Sequence, residues 1–82
     1  MSDSEQRIGI TLIRLAEERG TIKRGDVTVQ NLPYQQDIAN MAGTSRETVS
    51  RTLKLLEDEK LVKRNGGDIT IFNFNTFRQS FS

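Results

Sequence analysis

The chain has 82 residues, 12 lysines and arginines against 11 aspartates and glutamates, a net charge of +1, and neither cysteine nor histidine. That length suits one small domain with one modest core. The missing cysteine excludes disulfides, iron–sulfur ligands and a thiol nucleophile in this segment, and the missing histidine removes the commonest general base and metal ligand. No apolar run approaches membrane-spanning length, and the N-terminal Met-Ser-Asp-Ser-Glu is not a signal peptide, so a soluble cytoplasmic protein with no cofactor of its own is expected.

In chain order, Ser4 is a candidate cap, and Ile8, Leu12, Leu15 and Ala16 recur at i, i+4, i+7 and i+8. That spacing predicts a core-facing helix over 4–19, ended by Gly20. Thr21 to Asp26 reads as a polar turn leading into Val27-Thr28-Val29-Gln30, and a short strand is predicted over 27–32. Leu32-Pro33 closes it, and Pro33 fits the start of a helix over 34–42, in which Ile38, Ala39, Met41 and Ala42 are expected to face inward. Gln35 and Gln36, with the backbone N–H groups beside them, can bond phosphates; an ordinary solvated helix start accounts for the glutamines equally well.

Gly43 permits the positive φ that a tight turn needs, and Ser45 caps a further helix over 45–59. After Glu59 the period changes: Leu61 to Arg64, then Asn65-Gly66-Gly67-Asp68, then Ile69 to Phe72 predict a β-hairpin over 61–72. In the tail, 73–82, Phe74, Phe77 and Phe81 are spaced by three and four. Packing of a short terminal helix or turn explains that spacing; a partner-binding segment is the sharper alternative.

Two short amphipathic helices separated by Gly43-Thr44 form the layout of a helix-turn-helix, whose second helix enters the DNA major groove. A hairpin directly after it makes a winged helix. The expected fold is therefore one winged helix-turn-helix domain over 1–82, mostly α with a small antiparallel β component. At about 100° per residue, Arg46, Glu47, Ser50, Arg51 and Lys54 fall within an arc of roughly 140°. Val49, Thr52, Leu53, Leu55 and Leu56 occupy the rest, as a face fit to be buried.

A guanidinium fork pairs with O6 and N7 of guanine, and a carboxylate accepts from the N4 amino group of cytosine. Arg46, Glu47 and Arg51 therefore suit a G·C-containing site, and Arg46 and Glu47 lie in the first turn, where recognition helices meet bases. Glu47 and Arg51 are also spaced i, i+4 and can form a surface ion pair worth a few tenths of a kcal/mol, roughly. A net charge of +1 is low for a DNA-binding chain, but binding needs a basic face more than a basic total. Arg46, Arg51, Lys54, Lys63 and Arg64 can form that face, with Glu57, Asp58 and Glu59 turned away; Ser45, Ser50, Lys54, Lys63 and Arg64 are the further candidates for phosphate contact.

Gly43-Thr44-Ser45-Arg46-Glu47-Thr48-Val49-Ser50-Arg51, followed by Leu53-Lys54-Leu55-Leu56-Glu57, resembles the DNA-binding domain of the cyclic-AMP receptor protein and FNR superfamily of bacterial regulators. The resemblance covers most of the chain, from Ile8–Arg19 as the first helix to Leu61–Phe72 as the wing. Arg46, Glu47 and Arg51 resemble the cyclic-AMP receptor branch; Glu47, Ser50 and Arg51 resemble the FNR branch. The resemblance implies that Glu47 and Arg51 read a shared G·C pair, that Arg46 adds a guanine contact, and that a TGTGA-like half-site is preferred to a TTGAT-like one. It also implies a homodimeric full-length protein with RNA polymerase as a partner. Thr52 departs from the pattern, standing where an aliphatic residue usually packs. The effector-binding and dimerisation regions of that superfamily do not fit in 82 residues, so the chain is expected to be one domain of a longer protein and monomeric alone.

From another class comes a winged-helix protein-interaction module, in which the hairpin or phenylalanine-rich tail binds protein and charge reversal at Arg51 leaves partner binding intact. A module for RNA or single strands is weaker still. An enzyme is weakest: there is no histidine or cysteine, no glycine-rich phosphate loop and no carboxylate constellation beyond helix-surface charges.

Overall fold

The first helix, α1 (Asp3–Arg19), starts one turn-defining contact earlier than its apolar stripe suggests, because Ser2 rather than Ser4 caps it. Ser2 Oγ accepts from the Glu5 N–H at 3.2 Å, and Glu5 Oε1 accepts from the Ser2 N–H at 2.9 Å. This reciprocal capping box satisfies two N–H groups that the helix cannot pair internally. The computed structural model describes residues 2–81. Along α1, Ile8, Leu12, Leu15 and Ala16 are buried as the stripe requires, joined by Thr11 and Ile13.

The segment expected as a polar turn is a second hairpin. β1 (Gly20–Lys23) pairs antiparallel with β2 (Asp26–Val29) through a two-residue turn at Arg24-Gly25. Both turn residues have positive φ, 55° and 87°, which matches the twist of a tight hairpin. β1 is an edge strand whose single large apolar residue, Ile22, is 69% exposed, so its strand character comes from pairing with β2 and not from a buried alternating face. β2 stops at Val29, short of the expected 32, because Asn31 turns left-handed (φ 53°) and carries the chain towards the wing.

The helix-turn-helix follows as α2 (Gln35–Ala42) and α3 (Arg46–Asp58). Gly43 has φ 71°, a left-handed conformation that a glycine adopts without the Cβ penalty. Its N–H and that of Thr44 both reach the Ala39 carbonyl, the latter at 2.9 Å, which satisfies the helix end and turns the chain sharply. Ser45 then caps α3 by accepting from the Thr48 N–H at 3.2 Å.

Two inward expectations are corrected. Met41 is 48% exposed and Leu55 is 43% exposed. On α2 the buried arc of Ile38, Ala39 and Ala42 is centred near Ala42, and on α3 the arc is centred near Val49 and Leu56; Met41 and Leu55 each sit about 100–110° from those centres, beyond the stripe that packs. Thr52, by contrast, is buried, filling the position an aliphatic side chain would take.

β3 (Val62–Asn65) and β4 (Asp68–Ile71) form the wing hairpin around Gly66-Gly67, and β4 also pairs with β2. The result is one four-stranded antiparallel sheet in the order β1-β2-β4-β3. Its inner face, with Val27, Val29, Ile69, Ile71 and Val62, closes the core against Ile8, Leu12, Ile38, Val49 and Leu53. α4 (Phe74–Ser80) seals the far side. Phe74, Phe77 and Phe81 are all buried, the last two with ring centroids 4.8 Å apart, and Arg78 pairs with Glu17 of α1 at 3.2 Å. Gly9 is where Phe81 lies, since a Cβ there would come within 2.2 Å of the ring. The tail is thus part of the core. Helices around a small antiparallel sheet make this a winged helix-turn-helix, mostly α, as expected from the sequence.

Two stability tests follow from the caps and the turn. Gly43→Ala should lower the unfolding free energy by about 1–2 kcal/mol in urea titration, from the left-handed backbone alone. Nothing crowds the new methyl, whose nearest neighbour would be Arg7 Nη1 at 3.8 Å. Glu5 has its carboxyl held below the usual value by the hydrogen bonds from the Ser2 backbone and side chain. Its contribution is therefore complete above the unfolded-chain value and is lost as pH falls through the lower folded value. The melting-temperature gap between the native chain and Glu5→Gln should be present at pH 7 and close in acid.

Candidate nucleic-acid interface

The polar arc of α3 faces away from the core because the opposite side of the same helix is consumed by it. Val49 and Leu53 are fully buried and Leu56 nearly so, which leaves Arg46, Glu47, Ser50, Arg51 and Lys54 exposed along the other face. These five, with Gln35 from the head of α2, border one shallow depression. Gln35 is half-buried there, at the start of α2. Among the described residues no ion pair joins Glu47 to Arg51, so the i, i+4 spacing is not spent on a surface pair. Arg51 sits at the rim of the face, because it also borders a second depression with the α1 cap Ser2 and with Ser4 and Glu5 of α1.

The remaining sequence-predicted residues are spread around this centre. Gln36 lies one position on, exposed, with its amide donating to Asn40 Oδ1 at 3.1 Å. The Ser45 hydroxyl accepts from the Thr48 N–H as the α3 cap and lies 2.9 Å from the Thr48 hydroxyl, at the edge of the face. Lys54 approaches Asp58 at 3.9 Å, with both side chains largely exposed, a contact worth about 0–1 kcal/mol.

Lys63 and Arg64 lie on opposite faces of the wing. Successive strand residues point to opposite faces of a sheet. Lys63 opposes Thr70 on the outer face, whereas Arg64 shares the inner side with Val62 and reaches α3, where its Nε lies 3.0 Å from Glu57 Oε1. The expectation that Glu57 and Asp58 turn away from the basic groups is corrected here: each engages one of them. Angular position explains it, since Glu57 and Asp58 continue the arc of Ser50, Arg51 and Lys54 at about 100° per residue.

Tyr34 escaped sequence reading. It heads α2, is 84% exposed and borders a depression shared with Gln35, Arg64, Gly66 and Gly67. The available signal was its place outside the Ile38–Ala42 stripe, directly after Pro33. The wing tip itself is tied to this segment: Leu32 N–H donates to the Gly67 carbonyl at 2.8 Å and Asn31 N–H to Asp68 Oδ1 at 3.0 Å. The heads of α2 and α3 and the tip of the wing therefore form one continuous surface. Among the described residues no group of three or more acidic side chains could hold a metal ion, and no helix is long and apolar enough to cross a membrane.

Residues 6–80 match the family model of the Crp-like helix-turn-helix domain. The cAMP-activated global transcriptional regulator CRP of Salmonella typhimurium is 37% identical over 70 residues, covering 85% of this chain and 33% of that protein. The nitrogen fixation regulation protein FixK of Azorhizobium caulinodans is 42% identical over 57 residues, covering 68% of this chain and 23% of that protein. In fold, the chain superposes on the CO-dependent transcription factor CooA from Carboxydothermus hydrogenoformans with a TM-score of 0.83 at 22% identity, covering 98% of this chain and 37% of CooA. The chain thus spans about a third of the length of such relatives. With the winged fold, the polar face of α3 and a family match over almost the whole chain in hand, the chain belongs to the Crp-like helix-turn-helix family, a family of DNA-binding transcription-regulator domains and not of enzymes.

Proposed function

We propose that this domain binds double-stranded DNA sequence-specifically by placing α3 in the major groove of a TGTGA-like half-site. The observation that carries the reading is the exposed depression bordered by Gln35, Arg46, Glu47, Ser50, Arg51 and Lys54, in which two guanidinium groups and one carboxylate carry no ion pair among the described residues. Arg46 and Arg51 offer planar forks for guanine, and Glu47 accepts from the amino group of cytosine. Gln35, Gln36, Ser45, Ser50, Lys54, Lys63 and Arg64 supply the additional and phosphate contacts, which fix register without reading sequence.

One such domain covers one half-site, and a palindrome needs two copies. The full-length protein is accordingly a homodimer in the cytoplasm, with RNA polymerase as its partner at promoters, while the domain alone is monomeric and binds weakly. The named roles of CRP and FixK as regulators support this reading. The competing protein-interaction module loses its apolar docking segment, because Phe74, Phe77 and Phe81 are buried within the domain.

The test is a titration of the domain on duplexes carrying a TGTGA palindrome, a TTGAT palindrome and a scrambled sequence, at two salt concentrations. The TGTGA duplex should bind tightest; preference for TTGAT would move the domain to the other branch, and no binding at low salt would sink the DNA reading. Arg46→Ala or Glu47→Ala should each cost about 1–3 kcal/mol on the preferred site and relax base choice at one position. If Glu47→Ala instead tightened binding equally on every duplex, Glu47 would be a repelled charge and not a reader. Lys63→Ala should weaken binding to all three duplexes and reduce the slope of log affinity against log salt by about 0.9.

A further inference from the structure

Glu57 is an odd residue to find on a DNA-facing helix. It continues the reading arc of α3, where a carboxylate adds repulsion from phosphates, yet it makes the shortest ion pair among the described residues, 3.0 Å to Arg64 Nε. The side chains keep only 39% and 35% of their exposure, against 78% and 63% for Lys54 and Asp58. The pair also crosses between elements, from the recognition helix to the first strand of the wing, whereas the Lys54–Asp58 pair is an i, i+4 contact within one helix. Among the described residues Arg64 has no other charged partner.

We propose that Glu57 is a positioning residue for DNA binding: it holds the Arg64 guanidinium on the surface that joins α3, the head of α2 and the wing tip. Arg64 borders the same depression as Tyr34, Gln35 and Gly66. An arginine on a strand otherwise samples many rotamers and must be ordered at the moment of binding, at a cost in affinity. A carboxylate that takes its Nε in advance removes much of that cost and leaves the cation beside the groups that meet the backbone. The strand pleat makes this possible only for Arg64, since Lys63 projects from the other face.

This inference rests on the DNA-binding reading, and it has a sign that simple charge counting does not. Removing a negative charge from a DNA-binding surface should tighten binding if the charge is only a repellent. The experiment is a double-mutant cycle of the intact chain, Glu57→Gln, Arg64→Gln and the double variant, titrated on the preferred and scrambled duplexes, with melting curves for each protein. Glu57→Gln should weaken binding to both duplexes by about threefold or more when Arg64 is present, and should not weaken it in the Arg64→Gln background. Arg64→Lys keeps the charge but not the Nε donor, so it too should bind more weakly than the native chain.

Tighter binding by Glu57→Gln, or equal weakening in both backgrounds as a general loss of helix support would give, overturns the proposal. Native-like affinity of Arg64→Lys overturns it as well, and does so even if the Gln variants fold poorly. Failure of the native chain to bind any duplex is a separate outcome, removing the DNA reading and this inference together.

Discussion

The rotation of α3 about its own axis is the constraint on which the rest of the molecule depends, and burial sets it. Val49, Leu53 and Leu56 are fixed in a core shared with α1, α2 and the sheet. Burying an aliphatic side chain of this size is worth about 1.5–3 kcal/mol. An exposed contact such as Lys54–Asp58 is worth about 0–1 kcal/mol. The apolar stripe therefore decides how the helix sits, and the polar arc takes the direction left over. The Gly43 turn adds the second half of the constraint. With two successive N–H groups on the Ala39 carbonyl, α3 leaves α2 at a defined angle, and Gln35 ends beside Ser50 and Lys54.

The wing is held by contacts of a different kind from those of the helices. A two-stranded hairpin is at best marginal in water by itself. Here β4 is zipped to β2, which is zipped to β1, and Thr28 and Thr70 share a 2.9 Å hydroxyl contact across the middle strands. The chain before α2 bonds the wing tip through Leu32 and Asn31, and the start of α4 is fixed on the opposite end, where Asn73 N–H donates to Asp26 Oδ1 at 2.9 Å. Arg64 and Glu57 add a side-chain link between the wing and α3. A net charge of +1 leaves room for a basic face in this setting, because Glu57 and Asp58 are engaged by Arg64 and Lys54 and do not stand against it alone.

Much of this was legible because it rests on local periodicity and local chemistry. The stripe Ile8, Leu12, Leu15, Ala16 on α1, the turn glycine, the Ser45 cap and the division of α3 into two faces each involve residues within a turn or two of one another. The misreadings share a cause. Met41 and Leu55 are apolar residues at the edge of a stripe, and hydrophobicity alone does not say how wide an arc the neighbours will cover. The segment 20–26 is polar and short, so its pairing with β2 left no periodic trace. Ser2 and Ser4 are equally good caps by residue type; the Glu three residues after Ser2 was the distinguishing mark.

By itself, the sequence determined the class of fold, the two helices around Gly43 and the exposed chemistry of Arg46, Glu47 and Arg51, because a 3.6-residue period and a capped start fix a helix's faces without reference to the rest of the chain. Tertiary structure decided everything that depends on which distant segments meet. It joined the two hairpins into one sheet through the β2–β4 pairing and folded the Phe74–Phe81 tail onto α1. It also separated Lys63 from Arg64 by the pleat and brought Arg64 to Glu57. Those contacts are long-range, and no local pattern encodes the partner. They arise because burying one common core leaves the sheet, the tail and α3 only one mutually compatible placement.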